Sequence, residues 1–196
     1  MVTRPLLWLL IFCLVMIILI IMINLFKIIA RNYNESKETT SLLERIASCF
    51  PYLLPLIEGT QNFGAVIITQ FNLINILYKY TLMELILVYT KIPFLGFSLF
   101  IILFFLFGRP TLPVRQFVRF NVMQSLLLFL LNSVLGAIFR ALPIAVRSSL
   151  GGEVISNMFF FFTIITVLYS IFKAISGQYS KIPIISEAVK IQIQNL

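Results

Sequence analysis

The sequence contains no histidine, and its seven acidic residues are all glutamate. Without histidine there is no His-assisted serine or cysteine nucleophile and no His-based zinc site. Without aspartate there is no paired-aspartate dyad. The two cysteines, Cys13 and Cys49, sit in different apolar stretches and form neither a CxxC pair nor a disulfide framework. They read as small buried apolar residues. An intramembrane protease of familiar design is therefore excluded, no cofactor or metal is expected, and the chain is not read as an enzyme.

Charge is scarce too. Only 11% of the 196 residues are charged, whereas 60% are hydrophobic, and mean hydropathy is +1.04. A soluble domain is nearer a quarter charged. Apolar runs of about 18 residues or more read as transmembrane helices, so the chain is a polytopic membrane protein. Its net charge of +8 could suggest nucleic acid, but the basic residues are scattered at segment ends with no aromatic-interleaved basic face. They are the usual topogenic signal, and no nucleic-acid partner is expected.

Residues 1–30 form an N-terminal anchor whose apolar run, Leu6 to Ala30, is too long for a signal peptide and lacks a small-residue cleavage site. Residues 31–45 are a polar linker. Residues 46–176 form the core and residues 177–196 a tail with a short helix. In the core an irregular helix is expected from Leu42 to Glu58, disturbed by Pro51 and Pro55. Phe63 to Tyr80 is half polar and either spans the bilayer or lies along its surface. Leu82 to Phe107 reads as one span kinked at Pro93. Val118 to Arg140 and Val154 to Ile175 are the last two spans. The fold class is thus all-α, with a four-helix transmembrane core and one extra N-terminal transmembrane helix.

Lys27, Arg31, Lys37 and Arg45 fall on one side together with Arg109, Arg115, Arg119, Lys173, Lys181 and Lys190. Arg4, Arg140 and Arg147 fall opposite. The first side is the synthesis side, and the C-terminus faces it. Glu84 is read as the one acid plausibly inside a span, near its end, and as an interfacial helix-start residue rather than a proton site. In the tail, Ser186 is read as the cap of a helix starting at Glu187, docked on the membrane or on a partner.

The span Val118 to Arg140 carries polar groups that cost free energy in hydrocarbon. At 100° per residue, Asn121, Gln124, Ser125, Asn132, Gly136 and Arg140 share one face, and Ser156, Thr163, Thr166 and Ser170 form a stripe on the last span. Such faces meet protein or water rather than lipid. They serve either interhelical packing or a hydrophilic path, and the residues alone favour packing.

Three stretches, "PYLLPLIEG" followed by "FG", then "RFNVMQSLLL", then "IPIISEAVKIQ", resemble in that order the twenty-kilodalton subunit family of the plastid inner-envelope translocon and its cyanobacterial relatives. The resemblance covers about Arg45 to Ile193. The matching positions are Pro51, Tyr52, Pro55, Gly59, Gly64, Arg119, Phe120, Asn121, Gln124, Pro183, Ser186 and Glu187. It implies a multi-pass protein of the inner envelope, without cofactor, that forms or lines the path of precursor proteins into the stroma. Implied partners are other translocon subunits, translocating precursors and membrane lipid, with self-association possible in principle because four short helices enclose little space. The chain departs from the family in its extra N-terminal span, and in Phe129 where many relatives have aspartate. With no transit peptide visible, a plastid-encoded algal member fits best. On this reading the polar stripes face the path or a partner subunit, and Gln124→Leu with Asn132→Leu should impair import without loss of the protein. The rival readings are a scaffold subunit and a small-solute or ion transporter.

Overall fold

The computed structural model describes residues 40–108 and 114–194; the expected anchor, Leu6 to Ala30, lies outside them. Helix α1 (Leu42–Cys49) begins at a capping box. The Ser41 hydroxyl accepts from the Glu44 amide at 3.3 Å, and the Glu44 carboxylate accepts from the Ser41 amide at 2.8 Å, satisfying two donors that a helix start leaves open. Four residues of the stretch read as polar linker are therefore helical. Ser41→Ala should cost about 1 kcal/mol of local stability, seen as faster hydrogen exchange at Leu42 to Arg45 with the rest of the chain unchanged.

Pro51 ends regular α-helix but not the rod. A 3-10 turn at Phe50–Tyr52 absorbs the missing donor, and helix α2 (Leu53–Phe63) continues from it. The backbone stays right-handed through Cys49, Tyr52, Leu53 and Gly64, so the rod runs past Glu58, where the sequence reading stopped it. A short helix α3 (Ala65–Gln70) follows and ends at extended Phe71.

Helix α4 (Asn72–Thr81) has no buried residue. Leu73, Ile76, Leu77 and Tyr80 are all exposed and share one face, the pattern of a helix lying on an interface. Helix α5 (Met83–Lys91) follows at 61°. The span expected from Leu82 to Phe107 is not one kinked helix. Ile92 is extended, as a residue before proline prefers, and Phe94 takes a left-handed φ of 61°. Two non-helical residues flanking Pro93 break the helix rather than bend it. Helix α6 (Leu95–Gly108) begins anew and has 14 residues, about 21 Å at 1.5 Å per residue, short of the roughly 30 Å hydrocarbon core.

Helices α7 (Gln116–Ala141) and α9 (Leu150–Ile175) are each long and apolar enough to cross a bilayer, and the bent pair α4–α5 gives a third span if counted as one. The one-turn helix α8 (Ile144–Arg147) links them. Glu44 of α1 pairs with Arg115 at the start of α7 at 3.2 Å. At the other end Arg140 of α7 donates to Asn62 of α2. The α1–α2 rod therefore runs parallel to α7. Gly177, just past α9, lies against Thr40 and Arg45, so α9 is antiparallel to both. Gly59 and Gly136 allow the close crossings: a Cβ would fall 2.5 Å from Thr163 at the first and 2.4 Å from Asn62 at the second.

The tail folds back on its own chain. Helix α10 (Ile185–Gln194) packs against α7, and Val189 is fully buried in the same apolar cluster as Val118 and Val122. Among the described residues there is no strand, and the protein is an all-helical membrane protein.

Candidate functional site

Two buried polar networks organise the interior. In the first, the Tyr52 hydroxyl lies 3.1 Å from Asn121 Oδ1 and 3.3 Å from Gln124 Oε1. Gln124 Oε1 also accepts from the Ser180 hydroxyl at 2.7 Å, and Gln124 Nε2 donates to Ser186 Oγ at 3.4 Å. Asn121 Nδ2 donates to the Phe117 carbonyl and Ser125 to that of Val122. Ser186 does not cap α10. It sits inside the first turn, accepts from the Ile182 amide at 2.7 Å and donates to the Ser180 carbonyl at 3.0 Å, so its hydroxyl closes the loop that precedes the helix.

The three stretches that carry the family resemblance converge here. Tyr52 comes from the first, Phe120, Asn121 and Gln124 from the second, Ser186 from the third. Phe120 meets the Tyr179 ring edge-on at 5.0 Å, pinning the loop above the network. Arg119 is half-buried, and its Nε donates to the Phe107 carbonyl at 3.1 Å, where a helix C-terminus leaves acceptors open. Pro51 is buried within the 3-10 turn, whereas Pro183 and Glu187 are exposed, Glu187 in the first turn of α10. These shared positions build the fold.

The second network joins α2, α5, α7 and α9. Asn132 Nδ2 donates to the Pro55 carbonyl at 3.1 Å, and Asn132 Oδ1 accepts from Thr163 at 2.9 Å. Asn62 Nδ2 donates to the Asn132 carbonyl and to Glu58 Oε1, the latter at 3.0 Å. Ser133 donates to the same Glu58 oxygen at 2.9 Å, and the Tyr89 hydroxyl donates to Oε2. Ser156 reaches the Phe63 carbonyl. Of the second stripe, Ser156, Thr163 and Ser170 are buried, while Thr166 is half-buried and returns its hydroxyl to its own helix. Gly64 meets Phe160 of α9. Most of the two stripes, Asn121, Gln124, Ser125, Asn132 and Gly136 on α7 and Ser156, Thr163 and Ser170 on α9, is covered by this chain's own helices and tail, while Arg140 at the end of α7 is exposed.

Sequence reasoning passed over Glu58. It named Glu84 as the one acid in a span and took it for a helix-start residue, and Glu84 is indeed exposed in the first turn of α5; the buried acid of the bundle interior is Glu58, 8% exposed. The signal was available: Glu58 and Asn62 are four apart, one turn of helix, once the rod is allowed to continue past Gly59. Glu58 also borders an open pocket of about 330 Å³ at the α5–α6 break, walled by Tyr89, Phe94, Phe97, Phe129 and Leu130. Phe129, 4% exposed, stacks on Phe100 at 5.9 Å. Among the described residues no cluster of metal-binding side chains occurs.

The model of the family described as "Chloroplast import apparatus Tic20-like" matches residues 25–189. A Tic20 family protein Ycf60 of Gracilaria tenuistipitata var. liui is 48% identical over 186 residues, covering 92% of this chain and 91% of the relative. A Tic20 family protein of Synechocystis is 31% identical over 160 residues, 81% of this chain and 98% of the relative. Protein TIC 20-v, chloroplastic, of Arabidopsis thaliana is 28% identical over 163 residues, 82% and 76% respectively. With that match over most of its length and apolar helices long enough to span, this plastid membrane protein belongs to the Tic20 family, as a plastid-encoded algal member.

Proposed function

We propose that the chain is a non-enzymatic membrane subunit of the inner-envelope import translocon and forms one wall of the path that precursors take into the stroma. The observation that carries this reading is the family match over residues 25–189. In it α1–α2, the α5–α6 pair, α7 and α9 are four core spans, the run Leu6 to Ala30 is a fifth, and the C-terminus is stromal. Arg45, Arg115 and the end of α9 lie at one end of the bundle, as the positive-inside rule asks of residues on one side.

The wall is not the polar face of α7, which is buried. The path runs between this chain and its neighbours, along the side where α4 and α5 bury little and the Glu58 pocket opens. Large apolar residues on α9, among them Phe161, Ile165 and Phe172, are exposed and face lipid or other subunits.

A photo-crosslinker at Phe97, beside the pocket, should yield adducts to a precursor arrested mid-import in plastids. One at Phe161 should yield adducts only to lipid or membrane subunits. Adducts to subunits alone from both positions would make the protein a scaffold. Burial of the α7 stripe favours that second reading to this extent: the residues that look like a lining are used for packing.

A further inference from the structure

Glu58 is a carboxylate within a membrane helix bundle, and the groups that hold it are neutral. A carboxylate offers about four acceptor positions. Asn62 and Ser133 fill two on Oε1, and Tyr89 fills one on Oε2, which leaves one. Among the described residues Glu58 makes no ion pair; Arg140, the nearest candidate in the network, is held by Asn62 Oδ1 instead. That contact fixes the amide so that Nδ2 faces Glu58.

Glu58 lines a pocket whose other walls include Phe94, Phe97, Phe129 and Leu130, with Gln61 and Thr90 adding polar groups at its edge. At about 330 Å³ the pocket is at the small end of ligand sites, which run from about 300 to 1,000 Å³. It is large enough for one long side chain and too small for a helix. A buried charge without a counter-charge is costly. A cation on an apolar stem answers both features, since the stem packs on the aliphatic wall and aromatic faces attract the charge. Tyr89 sets this geometry: its hydroxyl lies over Gly96, where a Cβ would overlap it, so the first turn of α6 and the donor to Glu58 are seated together.

We propose that the pocket is a subsite for a single lysine or arginine side chain of a polypeptide at the bilayer, with Glu58 as its counter-charge. The choice of polypeptide rests on the import reading, since organelle-targeting segments are Arg-rich and poor in acids. The same chemistry would accept the ammonium of a phosphatidylethanolamine headgroup, and the test separates the two.

The full chain in phosphatidylcholine nanodiscs would be titrated with a fluorescent, Arg- and Ser-rich, acid-free peptide, and with its citrulline counterpart. Glu58→Gln should weaken binding of the arginine peptide about tenfold, about 1.4 kcal/mol. Citrulline should cause the same loss in the unaltered chain and no further loss in E58Q. Leu130→Trp, which fills the pocket from its opposite wall and leaves the carboxylate network alone, should weaken binding too, and guards against misfolding of E58Q. Unchanged affinity in both variants, or equal binding of the citrulline peptide, overturns the proposal. Peptide binding independent of Glu58, together with a Glu58-dependent affinity for phosphatidylethanolamine, assigns the pocket to lipid and overturns it as well. Affinity in nanodiscs is read without import. Normal import after depletion of the protein would therefore sink the translocon reading while leaving this binding standing.

Discussion

Gln124→Leu should destabilise the protein by about 2–3 kcal/mol, the cost of stranding buried polar groups, and should loosen the tail before the bundle melts. Gln124 is fully buried. Its Oε1 is the acceptor for Ser180, and its Nε2 reaches Ser186. Leucine has similar bulk but offers neither atom. The Tyr52 hydroxyl keeps Asn121 as acceptor, so the rod suffers less than the loop. Ser180, 1% exposed, loses its partner in the interior. The expected readout is early proteolysis between Gly177 and Ile185, followed by a lower unfolding midpoint in detergent. This reverses the expectation that followed from the family resemblance, in which leucine at Gln124 and Asn132 would spare the protein and impair import, and agrees with the packing role that the residues alone favoured. Import should fall here because the protein does. Wild-type melting and tail protection in Gln124→Leu would return the stripe to a lining role.

Much of this was legible in the sequence, and the errors share one cause. The apolar runs gave α7 and α9 because a period of 3.6 with few charges has one reading at that length. The Ser41 capping box is local chemistry within four residues, yet it was passed over when residues 31–45 were read as polar linker. The break at Pro93 was placed correctly, but its depth was not. A proline in a helix can kink or end it, and only the left-handed Phe94 makes the difference. Glu58 was missed because the irregular helix was ended there; here helix continues through Gly59, which is a contact surface for Thr163. The destination of the polar face was the hardest to see. A 100° stripe shows that a face avoids lipid but not which neighbour covers it: Asn121 is met by Tyr52 from α1–α2, and the partners of Gln124 include Ser180 and Ser186, more than fifty residues later. Tail and core looked like separate units because nothing short-range links them.

The crossing of α2 and α9 gives the other large effect. Gly59→Val should cost about 2–4 kcal/mol, combining overpacking with the loss of one buried hydrogen bond. A Cβ at Gly59 falls 2.5 Å from Thr163 Cγ2 and 2.8 Å from its Oγ1, and both atoms belong to a side chain that α9 holds in place. Alanine would oblige Thr163 to rotate, which pulls its hydroxyl from Asn132 and so loosens the α2–α7 contact as well. Valine adds two methyl groups with little rotamer freedom, and the helices themselves must part. Gly151 supplies the control. It lies in the first turn of α9, and a Cβ there meets nothing nearer than Ser149 Oγ at 3.8 Å; Gly151→Ala should be neutral or gain up to about 1 kcal/mol of helix propensity. The decisive comparison is Gly59→Ala in a Thr163→Ser background, which keeps the hydroxyl and removes the clashing methyl. If the crossing is as described, that pair recovers part of the stability lost by Gly59→Ala alone, since the 2.5 Å methyl contact goes while the 2.8 Å contact with the hydroxyl stays. Additive losses would mean that α2 and α9 do not meet at these two residues.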